Sequence, residues 1–255
     1  MKKCLAFDLD GTLAPSKSQV PGVVADRLIR LLDQYTICVI SGGRFEQFEK
    51  QLISQLGAQP EKLASLHLLP TCGTQYYVYE QNKWVKLYSE DLSTTEKKKI
   101  EDSIEKAITK FGFEKGKSYG PRIEDRGSQI SWSALGQNIV DELGDEGVRM
   151  KEDWDRDGAK RDKILSALND LIPEFECRSG GGTTIDITKP GIDKSYGMIK
   201  LMDRTGLKKD DILFFGDKLS EGGNDYPVRA MGIDCLEVSK WEDTAISLNA
   251  IALLN

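Results

Sequence analysis

Short apolar runs alternate along this chain with amphipathic stretches, the arrangement of a parallel sheet covered by helices. Residues 4–7 read as a buried strand, and 22–34 as a helix with Val24, Leu28, Leu31 and Leu32 on one stripe. A second strand is predicted at 36–40, followed by a helix over 45–56 that stops at Gly57. A third strand at 66–69 leads into an alternating segment that turns at Gln81-Asn82-Lys83, so a hairpin is expected. Near the C-terminus, 193–205 predicts a helix, 212–215 a buried strand and 241–252 a closing helix.

The middle of the chain has a different character. Residues 93–111 open with Ser-Thr-Thr-Glu, a capping box, and continue as a charged amphipathic helix. Alternating stretches follow at 121–134 and 174–188, with a second helix near 156–171. Two helices and about four strands, strand beside strand, describe an α+β domain with one helix-covered sheet. The expectation is therefore a Rossmann-like α/β core, residues 1–87 plus 189–255, carrying an inserted α+β cap at 88–188.

Composition narrows the possible functions. With 255 residues, 39% hydrophobic and 30% charged, the chain has material for a large folded core and lacks the make-up of a disordered protein. Its net charge of −6 argues against broad attraction to nucleic acid or anionic membranes. No apolar run reaches the roughly 20 residues of a membrane span, and the first residues place acids where a signal peptide needs an apolar stretch. A cytoplasmic location follows as an expectation. Five scattered cysteines read as reduced core thiols. The single histidine, His67, excludes a clustered-histidine zinc site and reads as a core residue. Acid and base chemistry therefore falls to carboxylates.

Those carboxylates sit at telling places. Asp8 and Asp10 follow the first strand directly, at the carboxyl end where open α/β sheets bind ligands. The second strand ends in Ser41-Gly42-Gly43-Arg44, a hydroxyl and flexible amides leading into a helix N-terminus that favours anions. The late strand ends in Gly216-Asp217, followed by Gly222-Gly223-Asn224-Asp225. Aspartates delivered to one edge repel one another, so their convergence needs a cation. Oxygen donors without a histidine or cysteine cluster point to Mg²⁺. Lys194, where a turn enters a helix, is placed to offset the charge of a phosphoryl group.

In order and spacing these four pieces resemble the haloacid dehalogenase-like phosphotransferases. Asp8-Leu9-Asp10-Gly11-Thr12 matches the first motif, Ser41 the second, Lys194 the third, and Gly216-Asp217 with Gly222 to Asp225 the fourth. The inserted segment is similar to the large α+β cap of one subgroup, and within it the likeness is greatest to the eukaryotic-type phosphomannomutases. Arg126, in the run Ile123 to Gly136, matches their phosphate-binding cap arginine; Thr184 and Asp186 match their sugar-binding strand, and Lys17 stands where they carry an arginine. Gln137 and Gly144 stand where two further cap arginines are expected, and residues 229–231 lack the acid of a second cation site.

The resemblance implies that Asp8 attacks phosphorus and Asp10 acts as acid and base. It further implies that Mg²⁺ is held by Asp8, the Asp10 carbonyl and Asp217, with Asn224 and Asp225 behind it. Ser41, Gly42 and Lys194 would bind the phosphoryl group, and Lys17, Arg126, Thr184 and Asp186 the rest of a phosphorylated sugar. With two cap cations missing, the expected activity is hydrolysis by a sugar-phosphate phosphatase, with a phosphomannomutase or phosphoglucomutase as the alternative. A catalytically silent Mg²⁺- or phosphate-binding module is the rival from another class. The second acid, Asp10, argues against a dehalogenase or an ion-pump fragment. Besides a phosphorylated sugar, the partner considered is a second copy of the chain, in a homodimer through the cap.

Overall fold

A computed structural model describes residues 2–57 and 60–253. The chain divides into two compact units, Met1–Ser89 with Asp193–Asn255, and Glu90–Ile192. The boundaries thus fall a few residues beyond 88 and 188.

The first unit is built on a seven-stranded sheet. Its strands are β1 (Cys4–Asp8), β2 (Thr36–Ile40), β3 (Leu66–Leu69), β4 (Gln75–Glu80) and β5 (Lys83–Ser89). In chain order the second unit contributes β6 (Ile123–Asp125), β7 (Gln129–Ser133), β8 (Glu176–Ser179) and β9 (Thr184–Thr188), and the first resumes with β10 (Ile212–Gly216) and β11 (Asp234–Glu237). The order across the first sheet is β11-β10-β1-β2-β3-β4-β5, with β11 through β3 parallel and the β4–β5 hairpin antiparallel.

Alternation along the central strands explains why they read as unbroken apolar runs. Leu5, Phe7, Ile37, Val39 and Phe215 enter the core on one face, beneath the helices Gly22–Leu31 and Trp241–Leu253. Cys4, Ala6, Cys38, Ile40 and Phe214 enter the core on the other, with Met198 and Leu201 of the helix Lys194–Thr205. A sheet covered on both faces has no wet side. Chain order reverses at β1, which has β2 on one side and β10 on the other, and this is the switch point where such sheets bind ligands.

The second unit has a sheet with one apolar and one polar face. Its sheet, in the order β6-β7-β9-β8, is wholly antiparallel. Ile130, Trp132, Ile185 and Ile187 pack on one face against Ile100, Ile104 and Ile108 of the helix Thr94–Phe111 and Ile164 and Leu168 of Ala159–Leu171. Ser131, Ser133, Thr184 and Asp186 alternate with them and so occupy the opposite face. At the start of Thr94–Phe111 the capping box is present, Ser93 Oγ accepting from the Glu96 amide and Glu96 accepting from the Ser93 amide.

Tertiary contacts moved several element ends. The helix expected over 22–34 stops at Leu31. That expected over 45–56 stops at Gln51, because the Gln51 carbonyl accepts from the Val20 amide and Gln55 turns to Leu52 in a tighter turn. Two helices expected in the inserted unit become four, with Ile139–Leu143 and Asp145–Trp154 added. Gly144 and Gly147 hide that stretch from a periodicity reading, and it forms by packing Ile139 and Val140 against Tyr119. The edge strand β11, with little apolar alternation, was not expected either.

His67 is a structural residue of β3, its Nδ1 sharing a 2.7 Å hydrogen bond with the Tyr76 hydroxyl. Burial, aided by the nearby Arg204 charge, pulls its pKa from 6.5 to about 4. Between those values the unfolded chain takes up a proton that the folded chain refuses, so stability is full above the unfolded value and falls as the pH drops. Relative to His67→Gln, the protein should lose about 2 kcal/mol between pH 7 and pH 5, read from urea midpoints at the two pH values. Parallel losses in both proteins would contradict this.

Candidate active site

Three parallel strands deliver the predicted residues to one sheet edge: Asp8 closes β1, Ser41 follows β2, and Asp217 follows β10. Carboxylate oxygens of Asp8, Asp217 and Asp225 lie within 4.8 Å of one another. Lys194, on the first turn of its helix, donates to Asp8 Oδ1 and to Asp225 Oδ1, each at 2.5 Å. All three side chains of these two ion pairs are buried: Lys194, Asp8 and Asp225 are 1%, 5% and 0% exposed.

Local structure explains how a lysine comes to lie there. Asp193 caps the helix, its Oδ1 accepting from the Ser195 and Tyr196 amides at 2.8 and 3.2 Å, so the turn begins at Lys194. One turn further, Gly197 lies directly on the connection after β3. A Cβ there would meet the Cys72 carbonyl oxygen at 2.7 Å and Ile40 Cδ1 at 2.4 Å, so only glycine permits this approach. The connection itself is strained, with Thr71 and Cys72 at φ 49° and 55°. Its amides tie down the phosphate-binding candidate loop, Thr71 donating to the Gly43 carbonyl at 2.9 Å and Cys72 to that of Ser41 at 3.0 Å. One strained turn therefore fixes both the Ser41 loop and the Lys194 helix.

Electrostatics then sets the needs of the site. Burial pushes the Asp8 carboxyl up, reinforced by Asp225 and Asp217 and opposed by Lys194. Burial alone would lower Lys194, but Asp225 and Asp8 overturn it and hold the ammonium charged. Asp217 is also raised, first by burial and then by Asp225. Three carboxylates face one buried ammonium, a formal excess of two negative charges. A divalent cation removes that excess.

The donor set fits Mg²⁺. All the candidate ligands are hard oxygens, and Asp217 Oδ1 is buried without a hydrogen-bond partner. Gly11, at φ 87°, leaves room for Asp217, since a Cβ there would stand 2.7 Å from its Oδ2. Asp225 is less available, because Lys194 takes its Oδ1 and the Lys218 amide donates to its Oδ2 at 3.0 Å. It holds the lysine. Asn224, one residue earlier, is exposed.

Asp10 does not join that cluster through its side chain. Its carboxylate accepts from the Lys17 amide at 2.6 Å, from Gln47 Nε2 at 2.9 Å and from Gln51 Nε2 at 3.1 Å. Ser41 Oγ accepts from the Gly43 amide at 3.1 Å, and Gly42 between them is half-buried. Lys17 is half-buried at φ 55°. Sequence reading missed both glutamines; their spacing of four on one helix was the available signal.

In the second unit, the polar sheet face gathers the other candidates. Ser131 Oγ donates to Asp186 Oδ1 at 2.7 Å, and Arg126 places Nη1 at 3.8 Å from the same oxygen. Arg126 also pairs through Nε with Glu124 at 2.7 Å, and its side chain is 8% exposed. Thr184 lies two residues from Asp186 on the same strand, opposite Ser133. Arg178, unanticipated, stands opposite Asp186 in the β8–β9 register.

A doubly covered α/β sheet with carboxylates, a hydroxyl and a lysine at its switch point defines a phosphotransfer class. A family model of haloacid dehalogenase-like hydrolases matches residues 5–227, and the chain belongs to that family. It is similar to the phosphomannomutase of Saccharomyces cerevisiae, 28% identical over 87% of this chain and 83% of the yeast protein. Homo sapiens phosphomannomutase 1 is 27% identical over 89% and 82%. Among solved structures, ATP-bound IMP-nucleotidase of Plasmodium falciparum shares the fold with a TM-score of 0.74 at 17% identity, covering 100% of this chain and 61% of that one. A trehalose-6-phosphate phosphatase related protein does so with a TM-score of 0.60 at 14% identity, covering 99% and 98%. Among the described residues no helix is long and apolar enough to cross a membrane.

Mg²⁺ should raise the melting temperature of the protein in a saturable way, equivalent to about 2.7 kcal/mol at a hundredfold excess over Kd. Asp217→Asn should remove most of that rise while leaving the fold intact by circular dichroism. An undiminished rise in the variant would place the cation elsewhere.

Proposed function

We propose that the chain is a Mg²⁺-dependent phosphotransferase acting on phosphorylated sugars, of the phosphomannomutase type, with an aspartyl-phosphate formed on Asp8. The observation that carries this reading is a likeness to phosphomannomutases over more than four fifths of their length, spanning both units. Hydrolysis, the first expectation from the missing cap arginines, becomes the second reading.

Asp8, held by Lys194, attacks phosphorus as the bond from phosphorus to the departing sugar oxygen breaks. Asp10 delivers a proton to that oxygen. The phosphoryl group then passes from Asp8 to a hydroxyl of a sugar phosphate, whose proton returns to Asp10. Ser41, the Gly42 amide and Lys194 hold the phosphoryl oxygens throughout. Mg²⁺, when bound by Asp8, Asp217 and the Asp10 carbonyl, offsets charge between nucleophile and phosphate. Lys17, Arg126, Thr184 and Asp186 are assigned to the rest of the substrate, with the second unit as the specificity domain.

Hydrolysis keeps a place because of what stands at the missing cations. Gln137 is a neutral, buried amide directed at the Arg122 and Ser131 carbonyls, each at 3.4 Å. The Arg122 guanidinium directs Nη1 and Nη2 to the Glu114 and Gly116 carbonyls. A mutase must retain a bisphosphate while it turns, which takes several charge-assisted contacts; a hydrolase has only to admit water.

The deciding assay supplies mannose 1-phosphate or glucose 1-phosphate, Mg²⁺ and a trace of the corresponding bisphosphate. Formation of 6-phosphate faster than inorganic phosphate is the expected result; the reverse selects hydrolysis, and neither product selects the silent module. Asp8→Asn should abolish turnover and phosphoenzyme together. Arg126→Ala should raise KM for the sugar phosphates at least about tenfold, the loss of one charge-assisted contact, with little effect on p-nitrophenyl phosphate. Equal losses on both substrates would mean that Arg126 only supports the fold of its unit.

A further inference from the structure

The Asp10 carboxylate has a donor on each oxygen, and two of its three donors are side chains that no motif assigned. Gln47 and Gln51 lie four apart on the helix Phe45–Gln51, which places them on one face. Gln47 Nε2 divides its two hydrogens between Asp10 Oδ2 at 2.9 Å and Gln51 Oε1 at 2.8 Å. Gln51 Nε2 divides its own between Asp10 Oδ1 at 3.1 Å and the Ser18 carbonyl at 2.8 Å. Carboxylates and carbonyls only accept, so both amide orientations are fixed by their partners. The pair also reaches the loop after β2, because a Cβ on Gly43 would stand 2.1 Å from Gln47 Oε1.

We infer that Gln47 and Gln51 are positioning residues for Asp10, an inference that rests on the acid/base role proposed above. A proton transferred to a leaving oxygen must be presented in one direction, and an aspartate free to rotate about χ1 and χ2 presents it in several. The interlocked amides remove that freedom. They do so with neutral amides that place no further formal charge at the site. Gln51, 1% exposed, is anchored by the chain itself through Ser18. Gln47, half-buried, couples the orientation of Asp10 to the position of the Ser41 loop.

The test uses the full chain with Mg²⁺, a trace of the sugar bisphosphate and two substrates, mannose 1-phosphate, whose sugar oxygen needs a proton, and p-nitrophenyl phosphate, whose leaving group does not. Gln47→Ala and the longer Gln47→Leu should each lower kcat on mannose 1-phosphate by about 10- to 100-fold, within the range of general acid catalysis. KM and p-nitrophenyl phosphate turnover should stay within about threefold, which a merely structural loss would not allow. In an Asp10→Asn background Gln47→Ala should add no further loss, because its effect passes through Asp10. Equal losses on both substrates, or additive losses in the double variant, would overturn the inference alone. Full sugar-phosphate turnover by Asp10→Asn itself would overturn the acid/base reading, and this inference with it.

Discussion

One buried cation holds this site together. The Lys194 ammonium reaches Asp8 and Asp225 at 2.5 Å each, in a place where none of the three side chains is more than 5% exposed. Burying a charge without a partner costs several kcal/mol, so each member of the trio depends on the others for its place. Lys194 satisfies one carboxylate from β1 and one from the turn after β10, and thereby fastens two loops together. Removing the lysine would leave two buried carboxylates without a cation between them.

The fold spends several of its irregularities on that lysine. Asp193 starts the helix, Gly197 lets it lie on the backbone after β3, and the strained Thr71–Cys72 pair ties the same turn to the Ser41 loop. These contacts are short in space and long in sequence. The return of the chain to the first unit at Asp193 brings Lys194 to Asp8, more than 180 residues away. An insertion at this point leaves the sheet edge intact because β5 is an edge strand and β10 pairs with β1 on the opposite side of the switch point.

Two aspartates of one motif stand in different surroundings at this site. Asp8 lies among like charges and a lysine, in surroundings suited to a nucleophile whose charge a divalent cation balances. Asp10, two residues on, has neutral amide donors instead. β1 ends at Asp8 and the chain bends at Leu9, so the two side chains, although only two residues apart, meet different partners. In the second unit, alternation gives an apolar face to the helices and leaves Arg126, Ser131, Thr184 and Asp186 clear of that core.

Much of this was legible in the chain. Buried strands announce themselves as apolar runs, and aspartates directly after such runs must lie at the carboxyl edge whatever else the chain does. The first and last motifs, Lys194 at a helix start and the Ser93 capping box needed only local chemistry to be read. Other features depended on partners distant in sequence. Nothing near residue 51 says that its carbonyl will be claimed by Val20 and the helix ended there. Gly144 and Gly147 look like breakers until Ile139 and Val140 pack against Tyr119. Gln47 and Gln51 are ordinary helix residues until β1 places Asp10 beside them. Periodicity and motif spacing are local properties, so the sequence determined the elements and the chemistry at their ends. Where each helix stopped, which face each cap residue took and which amides oriented Asp10 were decided by long-range packing, where a buried polar group must find its partner wherever the fold brings one.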